Sequence, residues 1–357
     1  MNREFWRGKK VFVTGHTGFK GSWLSLWLQE MGATVTGYSL PPPTNPSLFE
    51  MAAVGEKMRS ITGDVRDLPA LSEAMKNAQP DIVLHMAAQP LVRLSYKIPV
   101  ETYATNVMGT VNCLEAVRHT PSVRAVVVIT TDKCYENKEW VWGYRENEPM
   151  GGHDPYSNSK GCAELVVSAY RRSFFHTPGC AQIASARAGN VIGGGDFADD
   201  RLVPDIVRAT QSRTTLEIRH PEATRPWQHV LEPLSGYLSL AEKLYSTDGS
   251  KFAEGWNFGP HESDAWPVKR VVEGIFSTWN TANISVQFGT PTEVHEAKWL
   301  ALDVSKARHG LGWTPCLPLT EGLQWTAEWY HAYLEKKNVR EITIEQINAF
   351  TKKIVER

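Results

Sequence analysis

The stretch Val11-Phe12-Val13-Thr14-Gly15-His16-Thr17-Gly18-Phe19-Lys20-Gly21-Ser22-Trp23-Leu24-Ser25-Leu26-Trp27-Leu28 reads as a strand, a tight turn and a helix in direct succession. The apolar run 11–13 suits a buried strand, and the glycines at 15, 18 and 21 give a turn whose backbone has no side chains in the way. Taken alone, Gly-x-x-Gly-x-x-Gly is as well explained by a structural turn as by nucleotide binding. Its position favours the second reading: the loop follows the first strand and opens a helix, whose free amide groups and dipole attract a pyrophosphate.

Outward from this loop, short β-rich runs alternate with helical patterns. The strands are expected at 11–14, 34–38, 59–62, 82–85, 126–130 and 183–186, and long helices at 102–118 and 156–172, the latter with Asp154-Pro155 as N-cap and first-turn proline. Such alternation predicts an α/β fold, a Rossmann-type doubly wound parallel sheet. From about Gly193 the chain is richer in loops, prolines and tryptophans (Trp227, Trp256, Trp266, Trp313), with helices expected at 233–244, 268–278 and 319–333. The expected division is a nucleotide-binding domain over 1–190 and a smaller, mostly α substrate lobe over 191–357. That lobe is not independent, and some of its segments return to the first domain.

Composition narrows the function. The 357 residues carry 38 Lys+Arg against 39 Asp+Glu, a net charge of -1, which provides no basic field for nucleic acid or an anionic membrane. Five cysteines without a paired spacing suggest neither a disulfide framework nor a zinc site, and no metal is expected. With no apolar run long enough to span a bilayer, the expectation is a cytoplasmic protein with a small-molecule partner.

Chemistry enters with Thr131-Asp132-Lys133-Cys134-Tyr135 and Tyr156-Ser157-Asn158-Ser159-Lys160. Four residues apart near the start of a helix, Tyr156 and Lys160 share a face, so the ammonium is expected to draw the phenol down from about 10 toward neutrality and make it a general base. Thr131, at the carboxyl end of the fifth strand, is placed to share the reacting proton or simply to cap the strand. Asp132 and Lys133 fit an acid and a base if burial keeps one protonated and the other neutral; otherwise they form an ordinary ion pair. The sequence leaves open which is acid and which is base. The second strand ends Gly37-Tyr38-Ser39-Leu40, so Ser39 stands where dinucleotide folds usually place an acidic ribose ligand, and no cation stands there for a 2'-phosphate. NAD is therefore expected rather than NADP, with Asp64 at the adenine amino group or in a strand-end turn.

These motifs together, with Ala87-Ala88, Asn106-Val107-Met108-Gly109-Thr110 and Arg187-Ala188-Gly189-Asn190-Val191-Ile192-Gly193, resemble the extended short-chain dehydrogenase/reductase family over nearly the whole chain. Within it, Thr131-Asp132-Lys133 is similar to the Thr-Asp-Glu of the nucleotide-sugar 4,6-dehydratases. Lys133 and the runs 38–49 and 225–234 resemble the branch acting on CDP-glucose. The resemblance implies NAD held by Gly15, Thr17, Gly18, Phe19, Gly21, Ser39, Asp64, Val65, Ala87, Ala88, Gln89, Asn106, Tyr156 and Lys160. It implies substrate contacts at Asn190, Arg201, Arg219, Arg225 and His229, although Trp227 and His229 also suit a packed aromatic cluster. It further implies removal of water from CDP-glucose for deoxysugar and O-antigen biosynthesis, and a homodimer or dimer of dimers through helices 102–118 and 156–172. A 4-epimerase would need Thr131, Tyr156 and Lys160 but not Asp132 and Lys133. A non-catalytic NAD-binding protein would need neither Tyr156 nor Lys160.

Overall fold

The computed structural model describes residues 2–279, 284–289 and 299–357. Its central feature is a seven-stranded sheet made of β1 (Lys10–Thr14), β2 (Thr34–Ser39), β3 (Arg59–Thr62), β4 (Ile82–His85), β5 (Ala125–Ile129), β6 (Gln182–Ala188) and β7 (Gly255–Phe258). All pairings are parallel, in the order β7-β6-β5-β4-β1-β2-β3. The chain winds from β1 outward to β3, then returns to β4 on the other side of β1. A crevice opens where winding reverses, at the carboxyl ends of β1 and β4.

Alternation along the strands divides the core between two faces. Val11, Val13, Ile82, Leu84 and Val127 join one cluster with Trp23, Trp27, Leu234 and Leu238. Phe12, Val83, Val126 and Val128 join another with Leu71, Met75, Leu114 and Val167. The helices covering these faces include α1 (Phe19–Glu30), α2 (Leu68–Ala78), α3 (Gly109–Arg118), α4 (Pro155–Phe174), α5 (Leu202–Ser212) and α6 (Leu231–Tyr245). Toward the C-terminus follow α7 (Val268–Trp279), α8 (Leu319–Leu334) and α9 (Val339–Val355).

Four of these elements, β7, α2, α5 and α9, were not expected from the sequence. Strand β7 holds a glycine and an asparagine in four residues, which weakens any strand signal. It pairs with β6 because Trp256 and Phe258 are buried and Asn257 is satisfied, donating to the Tyr144 and Asp303 carbonyls (2.8 and 3.1 Å) and accepting from the Tyr135 hydroxyl at 2.7 Å. Helix α9 packs on α1, with the Phe350 ring edge-on to Trp27 at 5.7 Å. That contact explains why Gly21 through Leu28 are all buried: α1 lies between the sheet and α9. The helix expected at 102–118 is split into Pro99–Tyr103, one wider turn at Ala104–Met108, and α3.

Beyond residue 190 the chain keeps returning: α6 packs on β5 and β6, and β7 extends the sheet. The same region contributes short pairings around the crevice. Leu216–Ile218 runs parallel to Val286–Phe288, with Leu216 and Ile218 buried and Glu217 exposed.

Candidate active site

The crevice opens into a cavity of about 1390 Å³, larger than the usual range for a single small ligand, about 300–1,000 Å³. The glycine turn forms one wall. Gly15 has φ +75°, and a Cβ there would sit 2.7 Å from the Ala87 amide nitrogen; a Cβ on Gly21 would collide with the Gly15 carbonyl. Both positions therefore require glycine. Helix α1 is capped by Gly18, no side chain makes a capping hydrogen bond to its first turn, and that turn lines the cavity with its amide groups left for a ligand. This bare helix start fits a dinucleotide pyrophosphate.

Thr17, Phe19, Ser39, Asp64, Val65, Ala87, Ala88 and Gln89 line the same cavity. The Thr17 hydroxyl lies 2.9 Å from that of Ser39, tying the loop to the end of β2. Asp64 is clamped by Arg66, whose Nε and Nη2 donate to Oδ2 at 2.9 and 2.6 Å, and this hydrogen bonding holds its pKa below the ordinary carboxylate value. Asn106 does not line the cavity. Buried in the wide turn, it accepts from the Gln89 amide at 2.8 Å and donates to the Gln89 carbonyl and Ser159 hydroxyl, so it fixes the wall from behind.

Helix α4 presents the tyrosine and lysine. Asp154 caps it, accepting from the Ser157 amide at 2.9 Å, and Ser95 accepts from the Tyr156 amide at 3.1 Å. One turn further along, Glu164 pairs with Arg187 at 2.7 Å and accepts from Thr130 and Ser185, anchoring α4 to the ends of β5 and β6. Lys160 donates to the Ile129 carbonyl at 3.1 Å, and burial pushes its amine down to about 8. The Tyr156 phenol departs from expectation. Burial pushes it up to about 12, against the lowering effect of the Thr131 hydrogen bond. Desolvation of the phenolate outweighs the help expected from Lys160.

Thr131 donates to Asp132 Oδ1 at 3.0 Å, and Lys133 Nζ lies 3.8 Å from the same oxygen and 3.4 Å from Asn190 Oδ1, to which it donates. Lys133 lines the cavity, whereas Asp132 is fully buried behind it with Oδ2 lacking a hydrogen-bond partner. The two are therefore neither widely separated nor a tight ion pair. Asn190, Arg201, Arg219 and Arg225 line the C-terminal side. Arg201 pairs with Asp196 at 2.8 Å, and Asp200 holds both Arg219 and Arg93, at 3.2 and 3.3 Å. His229 lies off the cavity: its ring is edge-on to Trp23 and Trp325, both at 5.8 Å, and burial pushes its pKa down to about 3. Of the two readings of His229, the structure shows the packed cluster. Trp227 does line the cavity while its indole donates to the Trp266 carbonyl at 2.9 Å.

Sequence reasoning missed Lys20 and Arg93. Lys20 occupies a variable position of the glycine motif, yet it lines the cavity and donates to the Tyr237 hydroxyl at 2.9 Å. Burial, then the charges of Arg201 and Lys160, lower its pKa to about 7, while Asp132 opposes the shift. A lysine inside a glycine turn was the available signal.

A family model described as GDP-mannose 4,6 dehydratase matches residues 12–326. The chain belongs to this dehydratase family. It is 56% identical over 343 residues to the CDP-glucose 4,6-dehydratase of Salmonella typhimurium (strain LT2), with 95% of each chain covered. Among solved structures it resembles the dTDP-glucose 4,6-dehydratase of Bacillus anthracis in complex with NAD, with TM-score 0.77, 21% identity, and 93% of this chain and 100% of that one covered. It also resembles the UDP-glucose 4-epimerase of Thermotoga maritima with UDP-glucose, with TM-score 0.78, 22% identity, and 91% and 99% covered. Dehydratase and epimerase structures thus share the fold, and the chemistry has to be argued from the site.

Proposed function

We propose that this protein removes water from CDP-D-glucose to give CDP-4-dehydro-6-deoxy-D-glucose, with NAD bound at the glycine turn. The observation that carries the reading is the convergence of Thr131, Lys133, Tyr156 and Lys160 on the cavity that the bare start of α1 opens into, with Asp132 directly behind. An epimerase needs no acid and base at 132 and 133. The 56% identical Salmonella enzyme supports the CDP-sugar.

The C5 proton of a hexose is not acidic until C4 becomes a ketone. When bound, NAD+ supplies the hydride acceptor for C4, a donor for C6, and a cationic ring whose charge favours the phenolate of Tyr156. Tyr156, hydrogen-bonded to Thr131, takes the C4 hydroxyl proton. Lys133, on the cavity wall, removes the C5 proton, and Asp132, behind that wall, supplies through the Thr131 hydroxyl the proton that leaves with the C6 hydroxyl. Lys133 then returns a proton to C5, and the proton that Tyr156 removed replaces the one Asp132 gave. Arg201, Arg219 and Arg225 offer planar donors to the diphosphate. We assign the dimer contact to the outer faces of the segment 102–118 and of α4, supported by exposed Met108, Leu165 and Phe174.

Incubation with CDP-, dTDP-, GDP- and UDP-glucose tests the assignment, with at least about tenfold better kcat/KM expected for CDP-glucose. In deuterium oxide the product should carry one deuterium at C5, and deuterium placed at C4 of the substrate should reappear at C6. Return of the label to C4 without loss of water would replace the dehydratase with an epimerase.

A further inference from the structure

Resting on the assignment of a cytidine sugar, we propose that Glu217 reads the base, accepting a hydrogen bond from the cytosine amino group. If the dinucleotide lies on the glycine turn and the hexose beside Thr131 and Tyr156, the diphosphate falls among Arg201, Arg219 and Arg225. The base must then lie beyond them, where Glu217, His220 and Val268 line the wall. Strand alternation buries Leu216 and Ile218 and turns the side chain of Glu217 into the cavity.

The other carboxylates on this wall are engaged. Asp196 is paired with Arg201, Asp205 with Arg208 at 2.6 Å, and Asp200 with Arg93 and Arg219; Asp199 lies 3.7 Å from Arg208. The Glu217 side chain has no hydrogen bond or ion pair among the described residues. A carboxylate accepts and cannot donate when ionised. Cytosine presents an amino donor where thymine, and likewise uracil, presents a carbonyl acceptor, so Glu217 pairs with the first and repels the second. Guanine also offers donors on its pairing edge, so this carboxylate separates CDP from UDP and dTDP while leaving exclusion of GDP to the size of the site.

The test is Glu217→Gln, whose amide can donate to the uracil carbonyl, compared with wild type for CDP and UDP binding by calorimetry and for kcat/KM on the two sugars. The ratio favouring CDP should fall by about tenfold or more, mainly because UDP improves. Glu217→Ala should weaken CDP without improving UDP, and an unchanged melting temperature for both variants would exclude a folding effect. A ratio within about twofold of wild type in Glu217→Gln would overturn the inference while leaving the dehydratase assignment intact. A wild-type protein that neither binds CDP preferentially nor turns over its sugar would defeat the assignment itself.

Discussion

Tyr156 shows how far a four-residue spacing can be read. Tyr-x-x-x-Lys correctly put both side chains on one face of α4, but their protonation depends on burial by groups distant in the chain, which leaves the phenol near about 12 and the amine near about 8. Asp132 and Lys133 make the same point. Their adjacency is visible in the sequence, whereas the burial of one and the cavity exposure of the other depend on Asn190 and Gly189 arriving from β6. The two roles should separate in paired variants. Tyr156→Phe should lower kcat by about 10²- to 10⁴-fold and block C4 oxidation, with sugar binding largely kept. Lys133→Met should still form the C4 ketone, while C5 exchange and water loss collapse. Unchanged C5 exchange in Lys133→Met, followed by NMR in deuterium oxide, would move the base elsewhere.

At the scale of elements, periodicity located most strands because their burial follows from their own composition. It missed α2, α5, β7 and α9, and the places of β7 and α9 depend on what they pack against. Helix α9 covers the outer side of α1, the helix that opens at the glycine turn, through fully buried Phe350. Phe350→Ala should therefore destabilise the fold by about 3–5 kcal/mol. Denaturant unfolding should show the midpoint falling; a midpoint unchanged within error would mean that α9 contributes little to holding α1.

Across the whole molecule, three buried histidines predict acid sensitivity. His16, His85 and His229 are held neutral by burial, with pKa values pushed down to about 4, 3 and 3. The unfolded chain binds these protons near the ordinary value of about 6.5, so their stabilisation is present above that pH and is lost as pH falls toward the folded values. By pH about 5 each withdraws about 2 kcal/mol. Glu232 acts in the opposite direction: burial raises it to about 7, so proton uptake below that pH favours the folded state by about 2 kcal/mol. The net loss is a few kcal/mol, and the melting temperature should drop between pH about 7 and 5; a constant or rising value would contradict the sign.

The sequence by itself determined the sheet's parallel class and the glycine turn at its first strand, because local composition and period encode both, and its resemblance to known motifs carried the family. Tertiary structure alone decided the burial-driven protonation of Tyr156 and Lys160, the placement of Asn106 behind the wall and of His229 in an aromatic cluster, and the appearance of Lys20, Arg93 and Glu217 on the cavity. These properties arise from which distant segments exclude water from a side chain or leave it facing the cleft, and no local pattern carries that information.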